Sequence, residues 1–306
     1  MKSVLTLVVP AGETLADAPG AETRAEDAAR AAAEKLRGAG AAASPPERLG
    51  RGAWDLPFDA PDPSSAAAAA AEDLRERGLD SAVQPLGPRR RRRLLVADME
   101  STVIENEMLD ELAERVDARQ RVAEITARAM NGELDFEAAL AERVGLLKGL
   151  PATVIDDCRA AIRIDPGARV LVATLKAHGA RAALVSGGFV SFAQRVADEL
   201  GFDECRANRL EIRDGLLTGR TAGPVLDKGA KVQSLDRLCG ELGIERAEAV
   251  TVGDGANDLP MLQAAGLGVS YRGKPAVAAA APYRIEFGDL STLLFYLGFH
   301  ESSFVH

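Results

Sequence analysis

The 306-residue chain is short of the residue types that most often announce a particular chemistry. It holds three cysteines, three histidines, one tryptophan and three tyrosines, and aromatic residues make up only 4% of it. Cys158, Cys205 and Cys239 are odd in number, widely spaced and without a Cys-x-x-Cys pair. That excludes a disulfide framework or a cysteine zinc site, and predicts reduced, buried thiols. His178, His300 and His306 lie far apart, two of them near the C-terminus, so neither histidine metal ligation nor a Ser-His-Asp triad is expected. No apolar run approaches the ~18 residues that a membrane span requires, so no membrane partner is expected. Positive charge is also scarce: 37 Lys and Arg stand against 46 Asp and Glu, a net charge of −9. This argues against nucleic acid as a partner. Met1 to Pro10 has one lysine and a brief apolar segment broken by Pro10, too little for a secretory leader, so the expected location is cytoplasmic.

What is present is an ordinary globular composition, 47% hydrophobic and 27% charged, long enough for about two domains. Residues 1 to 88 read as a small α+β module. Val4–Val9, Trp54–Phe58 and Leu79–Leu86 are candidate strands, and Ala21–Leu36 is a helix closed near Gly38 and Gly40. A second helix, capped by Ser64 or Ser65, runs through the alanine block Ala66–Ala71 to Gly78. Such alternation predicts a ferredoxin-like module, with binding or assembly as its role. Gly87-Pro88 marks a linker, and the five arginines Arg89–Arg93 that follow read as its solvated face.

One stretch organises the remainder. Leu94-Leu95-Val96-Ala97 is a short unbroken apolar run that leads straight into Asp98-Met99-Glu100-Ser101-Thr102. It predicts a strand buried on both faces of a parallel sheet, with Asp98 at the carboxyl end where α/β proteins gather their ligands. Alone, Asp98 could equally be a helix cap. Four helices should follow: Glu105–Val116, Ala118–Met130 closed by Asn131-Gly132, Asp135–Leu147, and one opened by Pro151 and reaching Ile162. They form an insert able to act as a lid. The sheet pattern then resumes with a crossover helix, Pro166–Ala177, and a strand, Arg181–Val185, that delivers Ser186-Gly187-Gly188 at the start of the next helix. An Asp214-Gly215 hairpin, a helix from Lys231, and a strand Ala249–Val252 delivering Gly253-Asp254-Gly255-Ala256-Asn257-Asp258 come next. Leu267–Ser270 and Tyr283–Glu286 are the last expected strands. The whole predicts an α/β, Rossmann-like, mostly parallel sheet.

Three buried strands would thus end in Asp98/Glu100, Ser186/Gly187 and Asp254/Asn257/Asp258. In a parallel sheet these meet at one edge. Carboxylates, a hydroxyl beside glycine amides, and Lys231 make a site for Mg²⁺ and phosphate. Read singly, Ser-Gly-Gly is a tight turn and Lys231 a surface lysine. Gly-Asp-Gly-x-Asn-Asp is the specific element, because two acids and an amide crowd a turn without structural need. Together they favour phosphoryl transfer through an aspartyl-phosphate.

On these motifs, residues 94 to about 297 resemble the phosphoserine phosphatases of the haloacid-dehalogenase superfamily. Further likeness lies in Glu-Asn-Glu-Met-Leu-Asp-Glu-Leu-Ala around Glu107, in Leu-Asp-Phe-Glu around Phe136, and in Arg-Val-Gly-Leu-Leu-Lys from Arg143. The resemblance implies a catalytic core of residues 89–104 and 164–306 and a helical cap of 105–163. By analogy with longer bacterial members, residues 1–88 would be an ACT-like module. It further implies hydrolysis of O-phospho-L-serine, a small-molecule substrate, at the last step of serine biosynthesis. Asp98 would be nucleophile and metal ligand. The Glu100 carbonyl and Asp254 would complete the protein's share of the Mg²⁺ shell, with Asp258 supporting it. Ser186, Gly187, Lys231 and Asn257 would hold phosphate, while Glu107, Phe136 and Arg143 would meet the serine moiety. Read alone, Glu107 is equally a helix-surface acid and Arg143 a snorkelling arginine. A homodimer is a further expectation.

Glu100 departs from the family pattern, where an aspartate protonates the leaving oxygen and then activates water. Glutamate keeps the carboxyl on a longer stem, so the acid/base function is expected to survive with altered reach. Two other readings stay open on sequence: transfer of the phosphoryl group from another monoester or to an alcohol such as homoserine, and a catalytically weak serine sensor.

Overall fold

The computed structural model describes residues 1–10, 21–130, 133–226 and 228–306. Its N-terminal part is a βαββαβ unit: β1 (Lys2–Val8), α1 (Ala21–Gly38), two short strands β2 (Ala42–Ala43) and β3 (Glu47–Gly50), β4 (Ala53–Asp59), α2 (Pro63–Glu76) and β5 (Asp80–Pro85). The strand order β2-β4-β1-β5, antiparallel where strands pair, is the ferredoxin-like arrangement expected. The alternation along β1 sends Leu5 and Leu7 to the alanine-rich faces of the two helices, with Leu36, Ala67, Ala70 and Leu74. α2 is capped by Asp62, which accepts the Ser65 N–H at 3.2 Å, with Pro63 in the first turn. The expected Ser64 or Ser65 cap is therefore displaced, because a proline with preset φ fixes the helix start two residues earlier.

The opposite face of this sheet is buried against the larger part of the chain. Val8, Leu49, Ala53 and Ala82 share one apolar cluster with Leu290, Leu293, Leu294 and Phe299. Thr6, Asp55, Asp80 and Gln84 are buried polar side chains on β1, β4 and β5. They explain why the arginine run is not a solvated linker face throughout. Arg90 is 8% exposed. It ion-pairs with Asp55 through both guanidinium ends, reaches Thr6 Oγ1 at 2.7 Å, and donates to the Phe295 and Tyr296 carbonyls at 3.0 and 2.9 Å. Arg91 lies over the Phe299 ring at 4.5 Å. Arg90→Leu would leave Asp55 charged and unpaired, so unfolding in urea should show a loss of about 3–5 kcal/mol. Adding Asp55→Leu should restore much of it.

The larger part is a seven-stranded sheet in the order β12-β11-β10-β6-β7-β8-β9, parallel except for the β8–β9 hairpin. Its strands are β6 (Leu94–Ala97), β7 (Arg181–Phe189), β8 (Glu204–Arg213), β9 (Leu216–Ala222), β10 (Ala249–Gly253), β11 (Leu267–Tyr271) and β12 (Tyr283–Ile285). β6 sits between β7 and β10 with all four residues buried, as the unbroken Leu-Leu-Val-Ala run requires. The hairpin turns at Asp214 (φ 49°) and Gly215 (φ 76°), both left-handed.

Between β6 and α7 (Ala168–Ala177) stands the helical insert: α3 (Met108–Glu114), α4 (Arg119–Met130), α5 (Phe136–Gly145) and α6 (Val154–Ala160). The expected Asn131-Gly132 closure lies outside the described residues. Pro151 does not open α6. It bridges to Leu216, and Gly149 and Ala152 N–H donate to Leu217 and Gly215 carbonyls at 2.8 Å. This segment is an added strand-like edge on the β8–β9 hairpin, which delays the helix to Val154. The cysteines are free thiols, with Cys158 and Cys239 buried but Cys205 only half-buried. No helix among the described residues is long and apolar enough to cross a membrane.

Candidate active site

The parallel register brings the ends of β6 and β10 side by side, the Asp98 N–H donating to the Val252 carbonyl at 3.0 Å. Asp98, Asp254 and Asp258 therefore converge, with one carboxylate oxygen from each within 4.8 Å of the others. α9 (Lys228–Leu242) places Lys231, 3% exposed, among them. Its Nζ lies 2.7 Å from Asp98 Oδ1 and ion-pairs with Asp258. Asp258 is fully buried and also accepts the Gly255 N–H at 2.9 Å, so it braces the turn as well as the lysine.

The electrostatics define what is missing from this cluster. Burial, aided by the Asp258 and Asp254 charges, pushes Asp98 well above the ordinary carboxylate range despite Lys231. Burial and the charges of Asp258 and Glu107 push Asp254 up to about 7. Lys231 is raised as well, held firmly protonated by Asp98 and Asp258 against its own burial. Two carboxylates on one ammonium, with Asp254 beside them, leave negative charge uncompensated. An oxygen-only donor set with that surplus fits a hard divalent cation.

Residues 99–104 fold back over the strand end. Ser101 adopts left-handed φ of 53°, the sort of local strain tolerated where side-chain aim matters. This turns Thr102 Oγ1 onto Asp254 Oδ1 at 3.2 Å and Ser101 Oγ onto Glu107 Oε1 at 2.8 Å. Glu100 Oε1 accepts the N–H of Met108, first residue of α3, at 2.9 Å. Burial of its carboxyl, then repulsion from Glu107, pushes Glu100 up to about 8. The glutamate is accommodated by a glycine: a Cβ at Gly188 would stand 2.6 Å from Glu100 Oε2.

Ser186 is buried, and its Oγ accepts the Gly188 N–H at 2.8 Å, which leaves its own O–H to donate. Contrary to the expected helix start, Ser186 and Gly187 belong to a strand that runs on to Phe189, and α8 (Val190–Leu200) follows it. The reason is Asn208 on β8, whose Nδ2 donates to the Gly187 carbonyl at 2.8 Å and holds the extension down. Their anion-binding capacity thus rests first on the extended backbone and the hydroxyl, the helix starting only at Val190.

From the insert, Phe136 covers this turn, its Cζ 3.5 Å from where a Gly187 Cβ would be. Arg143 is half-buried. It has no carboxylate within ion-pair distance among the described residues, its Nε donating to Ala139 O at 3.2 Å. Burial lowers its pKa, opposed by the nearby charges of Glu100, Asp110 and Glu107. Glu107 is exposed at the rim. Asn257 lies on the β10 turn, its Oδ1 packed against Gly255. Thr102, Asn208 and Asp110 were given no individual role from the sequence, although each lies in a stretch that resembles the family.

This geometry, an aspartate at a buried strand end, an acid-rich turn, a buried lysine and a helical insert, matches one hydrolase class. The haloacid dehalogenase-like hydrolase family matches residues 95–263, and the chain belongs to it. A phosphoserine phosphatase of Streptomyces coelicolor is 46% identical over 222 residues, covering 72% of this chain and 54% of that protein. The chain thus spans about half the length of that relative. A phosphoserine phosphatase of Lactococcus lactis is 46% identical over 201 residues, 66% of this chain and 93% of the relative. The crystal structure of a probable phosphoserine phosphatase from Vibrio cholerae, unliganded, superposes with a TM-score of 0.75 at 32% identity. It covers 98% of this chain and 88% of that one. Within the hydrolase family, the chain belongs with the phosphoserine phosphatases.

Proposed function

We propose that this protein is a Mg²⁺-dependent phosphatase that hydrolyses O-phospho-L-serine to L-serine and phosphate, closing serine biosynthesis in the cytoplasm. The observation that carries the reading is the Asp98–Lys231–Asp258–Asp254 cluster at the ends of β6 and β10, with Ser186–Gly188 on the neighbouring strand β7. A phosphate monoester placed there has a carboxylate nucleophile, an ammonium and a hydroxyl donor around one phosphorus. The metal would be held by the carboxylates of Asp98 and Asp254 with the Glu100 carbonyl, and would supply charge neutralisation for the phosphoryl oxygens.

The remaining steps belong to the chain's own residues. Asp98 attacks phosphorus in line, and the phosphorus–oxygen bond to serine breaks as the aspartyl-phosphate forms. Lys231, Ser186 and the Gly187 N–H hold the phosphoryl oxygens, with Asn257 beside them. Glu100, protonated at neutral pH by virtue of its burial, gives its proton to the leaving serine oxygen. As a carboxylate it then takes a proton from water, which attacks phosphorus and returns Asp98. Phe136 covers the turn and excludes bulk water. Arg143 pairs with the substrate carboxylate and Glu107 with its ammonium.

Two measurements test this. Phosphate release should be fastest with O-phospho-L-serine among small phosphomonoesters, O-phospho-L-threonine included, and should stop in excess chelator. Preference for an unrelated monoester, or phosphoryl transfer to homoserine outpacing hydrolysis, would overturn the substrate assignment. Arg143→Ala should lower kcat/KM for phosphoserine roughly tenfold to a hundredfold, the worth of a charge-assisted pair of about 1.5–3 kcal/mol, while sparing an aryl phosphate that lacks a carboxylate. Equal losses on both would make Arg143 a structural or phosphate-binding residue.

A further inference from the structure

Away from the catalytic cluster, an unbroken series of polar contacts joins the N-terminal module to the base of the helical insert. We infer that Asp80, on β5 of that module, is a positioning residue for turnover. It fixes the loop 286–291 that backs the hinge on which the insert is mounted. The inference rests on the phosphatase reading, in which the insert closes over substrate.

Asp80 is 3% exposed and spends both oxygens on three successive amides of the other part of the chain. Oδ1 accepts from Glu286 N at 2.7 Å and Oδ2 from Gly288 N at 2.6 Å, with Phe287 N 3.3 Å from both. A carboxylate cradled by consecutive N–H groups is a nest, and here it orders a segment with no helix or strand of its own. The segment hands the constraint on. The Gly288 carbonyl accepts from Arg272 Nη2 at 2.9 Å. Arg272, at left-handed φ of 44°, follows Tyr271, whose hydroxyl donates to Asp165. Arg272 Nη1 is 3.7 Å from the same Asp165 oxygen. On the other flank, a Cβ on Gly167 would stand 2.4 Å from Ser291 N and 2.6 Å from Leu290 N, so the loop lies directly on the chain beside Asp165.

Asp165 is where the insert returns to the core. Its N–H donates to the Val103 carbonyl at 2.9 Å, Glu105 N–H to the Arg163 carbonyl at 2.9 Å, and Ile104 pairs with Ile164. Two extended segments side by side, 103–105 and 163–165, carry the chain into and out of the insert here. Val103 directly follows Thr102, the residue that bonds Asp254. The hinge thus lies one residue from the active site, and its outer wall is held by a side chain from the N-terminal module. Removing the Asp80 carboxylate would leave the buried Gly288 N–H and the part-buried Glu286 and Phe287 N–H groups without this acceptor. The loop would relax away from Gly167 and Arg272. Coupling of this sort is established by perturbing both ends, so the test cuts the route twice.

The full chain carries Asp80→Asn, or Tyr271→Phe at the far end of the route. Gln84→Met serves as control, because Gln84 Nε2 donates to the Tyr296 carbonyl at 2.7 Å in the same interface without touching the loop. Hydrogen exchange of amides 163–168 should quicken about tenfold or more in both route variants, with β6 and β10 unchanged. Their kcat for phosphoserine should fall about five- to twentyfold, with a smaller loss on an aryl phosphate, which lacks the carboxylate and ammonium that the closed insert would meet. Gln84→Met should show neither change at a comparable drop in Tm. Wild-type exchange and kinetics in a folded Asp80→Asn or Tyr271→Phe protein would overturn the inference, as would the same changes in Gln84→Met. Absence of phosphoserine turnover by wild type would sink the phosphatase reading alone, since the exchange measurement does not depend on it.

Discussion

Asp98→Asn should reduce phosphate release from O-phospho-L-serine by roughly 10⁴-fold or more, the scale on which loss of a covalent nucleophile acts. The amide keeps the shape of the carboxylate and can still accept from Lys231, which lies 2.7 Å away. Substantial turnover by a variant shown free of deamidation would end the covalent route. A second readout separates chemistry from folding. Burial and neighbouring carboxylates raise the Asp98 pKa, so its ionised form is disfavoured in the metal-free fold. A raised folded-state value means that charge at this position costs stability above the unfolded pKa. The neutral variant should therefore unfold at the same Tm as metal-free wild type or higher. A marked fall in Tm would show that Asp98 is needed to hold the site together.

Glu100→Gln should cost about 10²–10⁴-fold in turnover, the usual worth of general acid–base catalysis. Mg²⁺ binding should survive, because the proposed ligand at this position is the main-chain carbonyl. The pH profile carries the sign. With the carboxyl pushed up to about 8, Glu100 holds its proton at neutral pH, and kcat/KM should fall as pH rises through that value. The Gln variant should lose this alkaline limb. Glu100→Asp restores the family's usual acid but withdraws it by one methylene from Met108 N–H, now 2.9 Å away, and from the space left by Gly188. The surroundings are thus fitted to glutamate, and the aspartate variant should be slower than wild type. A wild-type rate in Glu100→Gln would remove Glu100 from the mechanism.

The sequence disclosed most of what is set by local pattern. An unbroken Leu-Leu-Val-Ala run points to a doubly buried strand, and the chemistry after such a strand emerges at the sheet's carboxyl edge. That logic put Asp98, Asp254 and Asp258 in one place, the family likeness added Lys231, and the structure brings the four together. What stayed hidden was tertiary. Nothing local distinguishes Arg90 from its four arginine neighbours; its burial follows from Asp55 and Thr6, 35 and 84 residues away. Pro151 looked like a helix start because its partner, the β8–β9 hairpin, is distant in sequence. The extended course of Ser186-Gly187 depends on one side chain, Asn208, 21 residues on. β2 and β3 are too short, at two and four residues, to show any period. Glu107 and Arg143 needed the family likeness as well as the sequence, since a rim acid and a half-buried arginine look alike in many helices.

The central claim is that phosphorus passes through a covalent bond to Asp98, and isotope exchange tests it most directly. Labelled L-serine is added to the full chain turning over unlabelled O-phospho-L-serine with Mg²⁺, and label is sought in the phosphoserine that remains. An aspartyl-phosphate partitions between water and serine, so label should enter phosphoserine during hydrolysis and should be absent with Asp98→Asn. Steady phosphate release with no label in phosphoserine at any serine concentration would contradict the account.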